Sequence, residues 1–232
     1  MSSAMKLCVS LDLASAEENL ALVEQIKDFD VWLKVGFRTY IRDGKSFLEK
    51  LKAINPNFKI FLDLKLYDIP NTMADAAEEI SEFGIVDMFN VHASAGIEAM
   101  SAVMHRIKDI PNKPLVLAVT VLTSFDNDSF KAIYNEDINT KATKFAKDTY
   151  LSGVDGVVCS AYESLDIKNN TSREFITLCP GIRPFGEDSG DQKRVADIPF
   201  AKENLVDFIV VGRPIYKSNN PKSVVQEILK NI

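Results

Sequence analysis

Histidine is nearly absent from this chain: His92 and His105 are the only two in 232 residues. They are not spaced as metal ligands and no Ser-His-Asp constellation is visible, so neither a zinc site nor a hydrolase triad is expected. Cysteine is almost as scarce. Cys8, Cys159 and Cys179 lie in apolar, strand-like runs, odd in number and without C-x-x-C spacing, which predicts buried, reduced thiols. No apolar run approaches the length of a membrane span and no signal-peptide core opens the chain, so a cytoplasmic setting is expected. Positive charge is in deficit: 27 Lys and Arg face 33 Asp and Glu, a net charge of −6. That argues against a nucleic-acid surface, though a few local cations would still suffice for a small anion. Linkers rich in Pro or Ser are missing, as is any usable internal repeat. One domain over 1–232 is therefore expected, with residues 1–5 as a possible tail.

What the chain does contain is a regular alternation of two patterns. Residues 7–13, 31–35, 59–65, 87–92, 115–122, 155–160, 175–179 and 208–211 read as strands, each followed by a helical pattern. Ser15 with Glu18 reads as a capping box ahead of Leu20, Val23 and Ile26. Thr72 with Asp75 reads as a second, ahead of Met73, Ala76, Ala77, Ile80 and Phe83. Eight such units predict a single (β/α)8 TIM barrel. The other candidate is an open doubly wound sheet, but its first turn, Asp12-Leu13-Ala14-Ser15, lacks the glycine fingerprint.

A TIM barrel carries its chemistry at the C-terminal ends of its strands. Asp12 ends the first predicted strand, Lys34 the second, and Asp63 and Lys65 the third. Same-face neighbours in a strand stand roughly 6.6 Å apart, so Asp63 and Lys65 are adjacent, with Asp68 just beyond at the turn into Pro70. Two anions alternating with two cations can satisfy one another, whereas unpaired buried charges would each cost several kcal/mol. A purely structural charge network and a catalytic one read alike at this point.

The loops after the seventh and eighth strands are where this fold often holds phosphate. They contain Gly181 with Arg183 and Gly212 with Arg213. Glycine lets backbone approach an anion and arginine offers a fork of donors. Either element alone is an ordinary turn; both together, on the two expected loops, favour phosphate. Residues 183–199 form a long loop with Gln192 in it, which reads as a lid over the phosphate or as a disordered loop. Thr123, after the fifth strand, is placed either to meet a base edge or to serve a turn. His92, ending the fourth, reads as a hydrogen-bonded scaffold residue.

The string FLDLKLYDIPNT resembles the signature of bacterial-type orotidine 5′-monophosphate decarboxylases. LCVSLD, WLKVGF, FNVHAS, VTVLTS, CPGIRPFGEDSGDQKR and IVVGRPI resemble the family's other blocks, in the family's order. The resemblance implies decarboxylation of orotidine 5′-monophosphate to UMP, the last step of de novo pyrimidine synthesis, with no cofactor and no metal. It implies that Lys65 stabilises and protonates the C6 carbanion, with Asp63, Lys34 and Asp68 beside it. Asp12 would meet the sugar, Thr123 the pyrimidine edge, and Arg183, Gln192, Gly212 and Arg213 the phosphate. It also implies a homodimer in which Asp68, Ile69 and Thr72 enter the neighbouring site. Mg-dependent sugar-phosphate decarboxylases and synthases of the same wider barrel group share the D-x-K-x-x-D element and are the alternative. A catalytically silent nucleotide-binding barrel ranks behind both.

Overall fold

The computed structural model describes residues 5–186, 190 and 193–232. Eight parallel strands pair in chain order and the eighth closes onto the first. They are β1 (Lys6–Ser10), β2 (Trp32–Gly36), β3 (Lys59–Leu66), β4 (Met88–His92), β5 (Leu115–Val119), β6 (Gly156–Val158), β7 (Ile176–Cys179) and β8 (Phe208–Val211). The outer helices are α1 (Ala16–Ile26), α2 (Phe37–Ile54), α3 (Pro70–Glu82), α4 (Gly96–Arg106), α5 (Asn127–Tyr134), α6 (Ile138–Leu151), α7 (Ala161–Asn170), α8 (Ile198–Glu203), α9 (Arg213–Tyr216) and α10 (Pro221–Asn231). The expected TIM barrel is the fold observed.

Alternation along the strands sorts apolar side chains into two layers. Cys8, Phe61, Met88, Leu117, Leu178 and Phe208 fill the barrel's interior, with Trp32 packed edge-on to Phe208. Leu7, Val9, Leu33, Ile60, Leu62 and Phe89 point the other way and pack under the helices. The three cysteines are free and buried. Met5, included in the expected tail, is buried in the outer layer; residues 1–4 lie outside the described residues.

Three strand ends differ from expectation for one reason. Residues just past the last paired position turn to line the mouth instead of extending the strand: β1 stops at Ser10 before Asp12, β5 at Val119 before Val121 and Leu122, and β6 at Val158 before Cys159. Ser15 and Glu18 do form the expected capping box, at 3.1 and 3.0 Å. The box expected from Thr72 and Asp75 does not form. Pro70, with φ preset and no N–H to satisfy, starts α3 itself after the extended Ile69, so Thr72 already lies inside the first turn. Asp75 pairs instead with Arg106 on α4.

The floor of the barrel is held by a repeated device. Asp87, Asp155 and Asp207 each sit one residue before an even-numbered strand. Each carboxylate accepts a backbone N–H of the preceding odd strand: Ile60 at 2.9 Å, Val116 at 2.8 Å and Thr177 at 2.8 Å. Each carbonyl oxygen accepts from the following odd strand's entry, Leu115, Ile176 or Lys6. One aspartate thus clips three consecutive strands. Hydrogen bonds to a charged acceptor contribute about 1.5–3 kcal/mol apiece.

Candidate active site

At the C-terminal ends of the strands opens a cavity of about 580 Å³. It falls within the roughly 300–1,000 Å³ typical of small-ligand sites. One side is lined by Asp12, Lys34, Asp63 and Lys65, another by Gly181, Arg183, Gly212 and Arg213, and between them stand Thr123 and Ser124. Charges and arginines predicted from strand ends far apart in sequence therefore meet in one space.

The charged side is built by β1, β2 and β3. Ladder pairing sets Ser10 against Lys34 and Gly36 against Asp63, which brings the side chains level. Gly36 leaves the room that Lys34 uses, since a Cβ there would stand 3.1 Å from Nζ. Lys34 Nζ lies 3.4 Å from both Asp12 Oδ1 and Asp63 Oδ2, and Lys65 Nζ donates to Asp63 Oδ1 at 2.6 Å. The four form an alternating chain, Asp12–Lys34–Asp63–Lys65. Burial alone would raise the Asp63 carboxyl, but Lys34, Lys65 and a hydrogen bond from Asn90 outweigh it and hold it at about 2. Burial likewise opposes the charge on Lys34, and Asp63 and Asp12 reverse that, so its amine is pushed up. Lys65 also stands 5.7 Å over the ring of Phe37.

Asp68, expected in this network, is not in it within one chain. It lies past the end of β3, exposed, and its carboxylate accepts from the N–H of Ile69 at 2.7 Å. Ile69 and Thr72 are exposed too, and none of the three lines the chain's own cavity. Asp12 supplies the second carboxylate.

Asn90, on β4, is a residue that strand-end reasoning missed. Fully buried, it accepts from the Lys65 backbone N–H at 2.7 Å and donates to Asp63 Oδ1 at 2.8 Å. Its signal was present: Met88, Asn90 and His92 share the inward face, and an amide buried there must find partners. His92 behaves as the expected scaffold residue, with Nδ1 accepting from Ser94 N at 3.2 Å and its ring near Tyr67. Burial and the charge of Lys65 push it down, away from the protonated form. Among the described residues no three His, Cys, Asp or Glu side chains converge as metal ligands.

Both flanks of the expected lid are anchored. Arg183 N donates to Ala196 O at 2.8 Å, and Ala196 N to Gly181 O at 3.2 Å. Lys193 N reaches Thr123 O at 3.2 Å, and Tyr162 Oη reaches Val195 O at 3.0 Å. Arg194, also unforeseen, pairs with the buried Glu163 and donates to Val121 O at 3.2 Å. Gly190, at φ +63, lies so close to the Arg213 guanidinium that any Cβ would overlap it. Gln192 lies outside the described residues.

Residues 5–228 match the family model described as "Orotidine 5'-phosphate decarboxylase / HUMPS family". The chain belongs to that family. A protein of a Nitratiruptor species, named orotidine 5'-phosphate decarboxylase, is 68% identical over 228 residues, covering 98% of this chain and 100% of the relative. A relative of the same name from Campylobacter concisus is 58% identical with the same coverage. The crystal structure of orotidine 5'-phosphate decarboxylase from Lactobacillus acidophilus superposes with a TM-score of 0.84 at 31% identity, over 98% of each chain. Within this family, the charged chain on β1–β3 and the arginine side on β7–β8 are the two parts of the cavity to which a reaction has to be assigned.

Proposed function

We propose that the protein converts orotidine 5′-monophosphate to UMP and CO2, with Lys65 as the group that meets the reacting carbon. One observation carries the assignment of roles: the Lys65 ammonium, held 2.6 Å from Asp63, faces the same cavity as the Arg183 and Arg213 loops. A nucleotide spans those two needs, a dianionic phosphate at one end and a reacting ring at the other.

The C6–carboxylate bond breaks heterolytically, CO2 leaves and the electron pair stays on C6, where ring carbonyls cannot delocalise it. A fixed cation beside C6 stabilises that charge without having to reorganise. Lys65 then gives C6 one of its protons and regains one from solvent. Asp63 orients Lys65, Lys34 keeps Asp63 ionised and in place, and Asp12 meets the sugar hydroxyls. Thr123 reads the pyrimidine edge. Arg183, Gly212 and Arg213 hold the phosphate, with Gln192 joining them from a lid over 183–199. Phosphate binding energy is thereby applied to fixing the ring. Three buried reduced thiols suit a cytoplasmic setting.

The reading includes a homodimer. Phe37, Tyr67 and Ile69 follow β2 and β3 with 50%, 64% and 66% of their surface exposed, an apolar group that a second copy would cover. Asp68, Ile69 and Thr72 then enter the neighbour's site. Refolding Lys65→Ala and Asp68→Ala chains together gives about half mixed dimers, each with one intact site, so activity recovers to roughly a quarter of wild type. No recovery, with mixed dimers shown to be present, places Asp68 in its own chain's site. The activity itself is tested by CO2 release from orotidine 5′-monophosphate with and without EDTA. Equal release in both supports the reading, and release abolished by EDTA overturns it.

A further inference from the structure

The ladder between β3 and β4 is irregular at one place. Leu62 pairs with Phe89 and Leu66 with Val91, so Asp63, Leu64 and Lys65 together face Asn90 alone. Within that bulge Lys65 has φ +48, a left-handed backbone that a residue with a Cβ adopts at a cost of about 1–2 kcal/mol. Such a turn persists only where its surroundings hold it. Asn90 supplies the hold. The Lys65 N–H can only donate, so the Asn90 atom facing it must be the carbonyl oxygen, and this turns the amide NH2 toward Asp63. The Asp63 oxygen that receives this NH2, Oδ1, is the same one that Lys65 Nζ contacts.

We propose that Asn90 is a positioning residue for decarboxylation, fixing through one carboxamide both the backbone turn at Lys65 and the carboxylate that aims the Lys65 amine. The inference rests on the role proposed for Lys65. Other side chains fail the requirement on chemical grounds. Gln is one methylene too long for the buried space, Leu leaves a buried donor and acceptor unpaired, and an ionised Asp repels Asp63. Among side chains of this length, the amide both accepts and donates there while remaining neutral at every working pH.

Two variants separate this role from a structural one. Asn90→Ala lowers kcat by about 10²-fold, the scale of an ångström-sized misplacement, while KM and UMP affinity stay within threefold because phosphate and base contacts lie on other strands. Asn90→Asp is nearly isosteric and still accepts from Lys65 N–H, but it faces Asp63 with a second carboxylate. Lys65 on β3, Lys34 on β2, Asp12 after β1 and His92 on β4 complete its charged surroundings. These are common to wild type, so they cancel in the ratio of variant to wild-type kcat. That ratio rises as pH falls from 8 to 5.5, where the introduced carboxyl is protonated and donates again. A pH-independent ratio, equal losses in kcat and UMP affinity, or kcat within threefold of wild type in both variants overturns the proposal. Lys65→Ala, assayed in parallel, keeps the two levels apart. If it retains activity, the role of Lys65 falls; if it is dead while both Asn90 variants are unimpaired, only the role of Asn90 falls.

Discussion

Both ends of the barrel carry aspartate–lysine clusters, and they differ in what the lysines have left to give. On the floor, Lys168 Nζ donates to Arg173 O, Phe175 O and Asp207 Oδ2 at 3.0, 2.9 and 2.8 Å. Lys52 likewise divides its donors between Phe58 O and Asp87. These ammonium groups are committed to carbonyls and carboxylates, and the carboxylates in turn to strand N–H groups. At the mouth, Lys65 has Asp63 as its sole hydrogen-bond acceptor among the described residues and keeps two protons aimed elsewhere. Saturated lysines hold strands; an unsaturated one, half-buried beside a carboxylate that cannot easily be protonated, is equipped to act on a third party. Lys59 on the floor also has a single acceptor, Asp87, but its side chain is more than half exposed to solvent, whereas Lys65 lines the cavity.

Substitutions at the two ends should therefore damage different quantities. The largest expected effect is at the mouth. Lys65→Ala removes both the stabilising cation and the proton donor, so kcat falls at least about 10⁴-fold while UMP still binds. Activity within tenfold of wild type would collapse the contrast between the two ends. Next comes the floor: Asp207→Ala strands the buried Lys168 ammonium and the Thr177 N–H, costing about 3 kcal/mol in chemical denaturation. Turnover per folded molecule stays within threefold of wild type. A fall in kcat without loss of stability would show the floor acting on chemistry. The smallest effect concerns acid. Asp63 sits at about 2 in the fold against an unfolded value near 3.8, a depressed carboxylate. Its stabilisation is present above the unfolded value and is lost as pH falls from about 4 through 2, a term on the order of 2 kcal/mol. Asp63→Asn should flatten that limb of the stability–pH curve, measured by urea unfolding; an unchanged limb assigns the acid sensitivity elsewhere.

Much of this was legible in the chain. Strand–helix alternation specifies the barrel because eight amphipathic pairs with no edge to spare have few other ways to bury their faces. Asp12, Lys34, Asp63, Lys65, Thr123 and both Gly-Arg loops could be placed because barrel topology brings strand ends together. Thr72 misled because a capping motif and a first-turn Thr after Pro look identical in sequence. An inward-facing amide at Asn90 was readable from the alternation of β4, but its partners were not, because they are set by a bulge, and a bulge is a property of two strands pairing. Arg194 looked like one more loop charge until Glu163, 31 residues earlier, was found against it. Asp68 was ambiguous for a related reason: where a side chain goes after leaving β3 depends on what stands outside the chain.

The clip at Asp87 also sets a datum for β3. It fixes Ile60 at floor level, and Asp63 follows three residues later, about 10 Å up the strand, with Lys65 just beyond it in the bulge. The same aspartate fixes Leu115, the entry to β5, whose far end leads to Thr123. Heights of reacting and recognising groups are thus measured from one shared origin. A strand slipping along its neighbours would carry its side chains out of level at the mouth, and by one residue would turn them to the wrong face. The floor works as a gauge block: it keeps the tolerance of a site it never touches.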